Sequence, residues 1–279
     1  AVIVDAVRTA VGRKKGVFAK THPVDLLVPV LQELVKRNGI EAGQVEDVVT
    51  GCVTMTGEQG GNIGRLATLA AGFPPEVPAY SMNRMCGSSQ QAIHSAAQEI
   101  LAGDADIVIA CGVENMTRVP MGGDIGRFSR SLMEKYSIVP QGISAEMIAK
   151  KWNLTREDVD ELSLQSHQKA AQATDEGLFK REILPIEVNT DDGTQTVDED
   201  EGIRRDTSME KLAGLTPSFQ PKDGVVTAGN SSQISDGAAG LLLMSKQKAE
   251  ELGVKPRARI VARVVVGEDP VIMLTGVIP

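Results

Sequence analysis

Through the first 117 residues, apolar positions follow two alternating spacings. Four short runs, "AVIVDAV" (1–7), "VEDVVTGCV" (45–53), "VPAYSM" (77–82) and "ADIVIACG" (105–112), have the length and β-branched content of strands. Between them the spacing becomes helical. "PVDLLVPVLQELVKRNG" (23–39) puts Leu26, Leu27, Val30, Leu31, Leu34 and Val35 on one helix face and stops at Asn38-Gly39. "NIGRLATLAAG" (62–72) predicts a second helix. "NRMCGSSQQAIHSAAQEILAG" (83–103) predicts a third, with Ala92, Ile93, Ala96, Ala97, Ile100 and Leu101 on a broad face closed by Gly103. Strands that are apolar on both sides, alternating with helices, predict an α/β domain: a parallel sheet with helices on both faces.

The alternation breaks near residue 117. Residues 118–236 carry scattered helical stretches, one opened by Thr155-x-x-Asp158 in the manner of a capping box, and acidic, turn-rich connections such as "VNTDDGTQTVDEDEGIRRD". This region reads as an insertion on the sheet domain. Order returns with "GAAGLLLMS" as a strand, "KQKAEELG" as a helix and "RARIVARVVVGEDP" as a further strand. The expected organisation is a sheet domain of 1–117 and 237–256, an inserted loop domain of 118–236, and a third segment, 257–279, that ends after a strand with no helix to cover it.

Composition narrows the function. The chain has 279 residues, a net charge of -8 and only 3% aromatics, so its core rests on aliphatic residues and no basic stripe is available for nucleic acid. No apolar run reaches the length of a membrane span and no signal-peptide pattern opens the chain. Three cysteines, Cys52, Cys86 and Cys111, are an odd number without C-x-x-C spacing, which disfavours a disulfide scaffold or a zinc site and suggests a reducing, cytoplasmic compartment. "GEQGGNIGR" matches neither the P-loop nor the dinucleotide fingerprint.

Cys86 is the candidate for chemistry. A helix beginning beside it would bring unpaired N–H groups and the positive dipole end to the sulfur, at the C-terminal edge of a strand where α/β sheets place their ligands. A free cysteine is also commonly just a small buried hydrophobe, and position alone leaves both readings open. His94, eight residues further along the same helix, would lie about 12 Å away by helical rise and cannot act as its base. His22 and His167 carry no motif. Cys52 and Cys111, in strand-like runs, read as packing.

"NRMCGSSQQAIHSAAQEI" resembles the acyl-enzyme cysteine segment of the thiolase family. "VDAVRTAVGRKKG", "GEQGGNIGRLATLAAGFPPEVPAYSMNRMCGSS", "GVENMTRVP" and "VVTAGNSSQISDGAAGLLLMS" resemble that family's other first-half motifs in the same order. The resemblance implies an acyltransferase in which Cys86 attacks the keto carbon of a 3-ketoacyl-CoA and its N–H forms part of the oxyanion hole. It implies coenzyme A as substrate and product, with no tightly bound cofactor, and Ser232 against the pantetheine arm in a channel formed with Gly229, Asn230 and Ser231. It also implies a homodimer or tetramer. The family's activating histidine and second cysteine belong to a second sheet domain, of which only the first strand is expected here, so these 279 residues alone are expected to be inactive. Thr216 stands where the family often has Arg, and Pro140-Gln141 where acetoacetyl-CoA-type members often have His-Met. Arg204, Arg205, Lys180 and Arg181 are cations available to the phosphates. A ketosynthase-like enzyme and a non-catalytic CoA-binding module are the alternatives.

Overall fold

The computed structural model describes residues 1–190 and 193–279. The chain opens with β1 (Val2–Arg8), β2 (Gly12–Arg13), α1 (Pro23–Asn38), β3 (Asp47–Gly51), α2 (Ile63–Ala70) and β4 (Ala79–Met82). It continues through α3 (Ser88–Ala102), β5 (Ile107–Asn115), α4 (Arg130–Met133), α5 (Gln141–Trp152) and α6 (Arg156–Asp175). A hairpin of β6 (Ile186–Thr190) and β7 (Gly193–Val197) follows, then α7 (Met209–Ala213), β8 (Ser235–Met244), α8 (Lys246–Glu251) and β9 (Ala258–Arg259).

These elements form two compact units. One holds residues 1–125, 179–202 and 234–263; the other holds 126–178, 203–233 and 264–279. The hairpin of β6 and β7 therefore belongs with the sheet unit, although it lies inside the stretch 118–236 expected as an insertion.

The first unit is built on a sheet in the order β4-β3-β5-β8-β1-β9, with β2 also pairing β8. The α/β architecture with helices on both faces follows from alternation along the strands. Val48, Ile107, Ile109, Cys111, Leu242 and Met244 pack in one cluster with Leu26, Leu27, Val30 and Leu31 of α1 and Ile63 and Ala67 of α2. Their neighbours Val49, Val108, Ala110 and Leu243 pack in another with Ala92, Ala96, Ala97 and Ile100 of α3. Successive side chains point to opposite faces of a strand, so one run of apolar residues serves two helical layers.

The sheet is not wholly parallel. β3 pairs in parallel with β4 and β5, but β8 runs antiparallel to both β5 and β1. The reason is topological. The chain leaves the sheet at the end of β5 and re-enters with Asp236 opposite Asn115, at the same end of the strands, so the strand it then forms must run the other way. The strand expected over "RARIVARVVVGEDP" is also shorter. Only Ala258–Arg259 pairs, and it pairs with Val2 and Ile3 of β1 rather than starting a second sheet. Beyond it, Val261, Val264, Val265 and Val266 are exposed and the backbone has no ladder partner.

In the second unit, α6 starts as expected. Thr155 Oγ1 accepts the Asp158 N–H at 3.2 Å while Asp158 accepts the Thr155 N–H at 2.7 Å. Two buried carboxylates then organise the long loop before β8. Glu146 of α5 accepts the Val225 and Val226 amides at 2.9 and 3.0 Å. Asp160 of α6 pairs with Arg156 at 2.6 Å and accepts Asn230 Nδ2 at 2.8 Å.

Candidate active site

The three cysteines separate by environment. Cys52 and Cys111 are buried, and Cys86 is exposed. Burial pushes the Cys111 thiol up to about 12, against the Thr50 hydroxyl 3.1 Å away. Burial, reinforced by Glu114 and Asp124, likewise pushes Cys52 up to about 12. Neither sulfur forms a thiolate near neutral pH.

Cys86 sits one residue before Gly87, the N-cap of the fifteen-residue helix α3. The turn that delivers it is tightly made. Met85 takes φ +49°, a left-handed conformation that costs a bulky residue about 1–3 kcal/mol and persists only when its surroundings enforce it. The Arg84 N–H donates to Ser88 Oγ at 2.9 Å, and the Gly87 and Ser88 amides return to the Arg84 and Met85 carbonyls at 3.1 and 3.0 Å.

Two glycines let this turn rest directly on the sheet. Gly51 ends β3 and stands in register with Gly112 of β5. A Cβ on Gly51 would lie 2.4 Å from the Ser89 amide nitrogen, and one on Gly112 would lie 1.9 Å from Ser89 Oγ. The C-terminal halves of two parallel strands are thus left bare at one position each for the amino end of α3, near the place at which open α/β sheets bind ligands.

A cavity of about 370 Å³ opens beside Cys86. Its walls combine Met85, Val53, Val113, Met116 and Ala238 with the polar groups of Glu114, Arg8 and Asp236. These polar groups are already engaged. Glu114 accepts the Val53 amide at 2.8 Å and Gln59 Nε2 at 2.7 Å. Arg8 makes two bonds to Asp200, at 2.7 and 3.0 Å, and one to Glu182 at 2.8 Å. Asp236 is fully buried and accepts the Thr117 amide at 2.9 Å and its hydroxyl at 2.6 Å; burial is the main cause that raises its carboxyl above the usual range.

No histidine serves Cys86 within this unit. His22 is the N-cap of α1 and accepts the Val24 N–H at 3.2 Å. His94 lies within α3, where burial and then Arg263 and Arg84 disfavour its protonated form. His167, in the second unit, accepts the Arg204 N–H at 3.2 Å. Arg205 pairs with Asp175 at 2.9 Å, and Lys180 and Arg181 are exposed.

Gly229, Asn230, Ser231 and Ser232 share one loop of the second unit. The side chain of Asn230 is consumed within the protein: Oδ1 accepts the Thr227 N–H, and Nδ2 donates to Asp160 and to the Val225 carbonyl, each at 2.8 Å. Ser231 donates its hydroxyl to the Thr227 carbonyl at 2.7 Å, and the Gly229 N–H donates to Thr227 Oγ1 at 3.1 Å. Ser232 is exposed. Among the described residues, no group of three or more His, Cys, Asp or Glu could hold a metal ion, and no helix is long and apolar enough to cross a membrane.

An exposed cysteine in a left-handed turn at a helix amino end, over glycines paired across two parallel strands, is a specific arrangement. Residues 1–247 match the family described as Thiolase, N-terminal domain. The chain belongs to the thiolase family. It is 45% identical over its whole length to a 3-ketoacyl-CoA thiolase of Pectobacterium carotovorum subsp. carotovorum (strain PC1), covering 73% of that protein. A 3-ketoacyl-CoA thiolase of Serratia proteamaculans (strain 568) is 46% identical with the same coverage. The crystal structure of the Bacillus anthracis acetyl-CoA acetyltransferase superposes with a TM-score of 0.83 at 40% identity, over 91% of this chain and 68% of that one. Membership places this thiolase-family chain among acyltransferases.

Sequence reasoning singled out Cys86 but passed over Asn83, Glu114, Gly51 and Gly112. Only Asn83 carried a local signal: an Asn whose side chain can accept the N–H two residues on, just before the cysteine.

Proposed function

We propose that Cys86 is the acyl-accepting nucleophile of a thiolase acting on acyl-CoA thioesters. The observation that carries this reading is the contrast among the sulfurs. Cys86 alone of the three is exposed, and it lies at a helix amino end beside a cavity. In the cleavage direction, the Cys86 thiolate adds to the keto carbon of a 3-ketoacyl-CoA. The bond between that carbon and its α-carbon breaks, and acetyl-CoA departs after its α-carbon takes a proton. The shortened acyl group remains as a thioester on sulfur until the thiolate of free CoA displaces it. In reverse, two acetyl-CoA molecules are joined. The negative oxygen formed in each step would be stabilised by the Cys86 N–H and by the positive end of the α3 dipole.

The loop of Gly229 to Ser232 is the proposed seat of the pantetheine arm. Because Asn230 spends its side chain on Asp160 of α6 and on the loop, and Ser231 on the loop, contact with the ligand falls to the Ser232 hydroxyl and the Gly229 backbone. Coenzyme A is then an exchanging substrate, not a resident cofactor, and the assembly a homodimer or tetramer. Among the described residues no histidine lines the cavity beside Cys86, so the chain is expected to accept an acyl group without sustained turnover.

Iodoacetamide tests the reading. Cys86 should be alkylated in the native protein, and saturating acetyl-CoA should protect it. Alkylation of Cys86 at the same rate with and without acetyl-CoA would overturn the assignment.

A further inference from the structure

The left-handed turn before Cys86 is held by a chain of hydrogen bonds that starts in the core. Gln59, fully buried, donates from Nε2 to Glu114 Oε1 at 2.7 Å. Glu114 Oε2 accepts the Val53 N–H at 2.8 Å, fixing the segment that leaves β3. The Val53 carbonyl accepts Asn83 Nδ2 at 2.8 Å. Asn83 Oδ1 in turn accepts the Met85 N–H at 2.7 Å, and Met85 is the residue at φ +49° next to Cys86.

We propose that Asn83 is a positioning residue for the nucleophile, its side-chain amide pinning Met85 in the left-handed conformation that presents Cys86 at the amino end of α3. The assignment rests on Cys86 being the nucleophile. Its geometry admits one amide orientation only: the flipped form would set two N–H donors against each other at Met85 and two oxygens against each other at Val53. The position demands a donor and an acceptor on one short side chain. Aspartate lacks the donor, and alanine lacks both. Asn83 is exposed, so its removal opens no cavity in the core. Its loss acts on the turn and spares the fold. Glu114 is the fixed end of the chain, anchored by Gln59 and by the Thr54 amide at 3.3 Å.

The test follows iodoacetamide alkylation of Cys86 in the full chain alongside the thermal midpoint. Asn83→Ala should slow alkylation about tenfold, because the sulfur leaves the helix end, while the midpoint moves by no more than about 3 °C. Adding Met85→Gly should bring the rate back to within about threefold of wild type, since glycine takes positive φ without being held there. Asn83→Ala reacting at the wild-type rate would overturn the proposal. So would a rate and midpoint that fall together with no recovery from Met85→Gly, which would mark Asn83 as merely structural. Failure of acetyl-CoA to protect wild-type Cys86 would instead contradict the acyl-enzyme reading and leave this comparison of rates intact.

Discussion

Gly51 and Gly112 face each other in register on β3 and β5, and both lie under Ser89 in the first turn of α3. The two are blocked by different atoms. Above Gly51 the obstacles are the backbone atoms of Ser88 and Ser89, whereas above Gly112 the nearest are Ser89 Oγ and Cβ. Gly51→Ala should destabilise the fold by about 1–3 kcal/mol and slow Cys86 alkylation, with no relief from side-chain changes at 89. Gly112→Ala should be destabilising too, but Ser89→Gly in the same chain should recover much of the loss. Urea unfolding of the single and double variants measures the difference.

The sulfurs should also differ in reactivity. With Cys52 and Cys111 raised to about 12, less than about one molecule in a thousand carries a thiolate at either site at pH 8. Peptide mapping after brief native alkylation should find label on Cys86 alone. The other two should react only once urea has unfolded the chain.

Asp236 makes stability depend on pH in a definite sense. Burial raises its carboxyl above the ordinary value of 3.8, so the native state binds its proton more tightly than the unfolded state. The stability this provides is complete below the ordinary value and is lost as pH rises through the raised one. Asp236→Asn removes the titration. Relative to wild type, the variant should therefore gain stability between pH 4 and pH 7, read from urea midpoints at the two values. A variant that loses ground over that range would show the carboxyl shifted the other way.

The loop of the second unit separates structural from binding roles. Asp160→Ala strands Arg156 and removes the acceptor of Asn230, and should cost about 3 kcal/mol of stability. Ser232→Ala changes an exposed hydroxyl and should leave stability within about 0.5 kcal/mol. If Ser232 touches the pantetheine arm, the same change should weaken CoA binding by about fivefold, as expected for one net hydrogen bond. Calorimetry with CoA checks it.

Much of this was legible in the chain because the signals were local and redundant. The apolar face of α1, its Asn38-Gly39 stop, the strand runs around Val48 and Ile109, and the Thr155–Asp158 cap each depend on residues within a few positions of one another. The direction of β8 was not legible, because a run such as "GAAGLLLMS" reads the same either way; only the return of the chain opposite Asn115 decides it. The shortening of the last strand to Ala258–Arg259 has a similar cause. Valines at 261 and 264 to 266 advertise a strand, but a strand needs a neighbour to satisfy its backbone, and none is present among the described residues. At the site, Cys86 was visible through its motif. Its supports were not: Glu114 reaches Val53 across 61 positions and Gly112 makes room for Ser89, relationships that exist only after folding.

The most direct measurement is the mass of the protein and of its Cys86 peptide after incubation with acetoacetyl-CoA or acetyl-CoA. One acyl group per chain, on the peptide containing Cys86 and absent from Cys86→Ser, is the predicted result. An unmodified Cys86, or acyl label that persists in Cys86→Ser, would contradict the account.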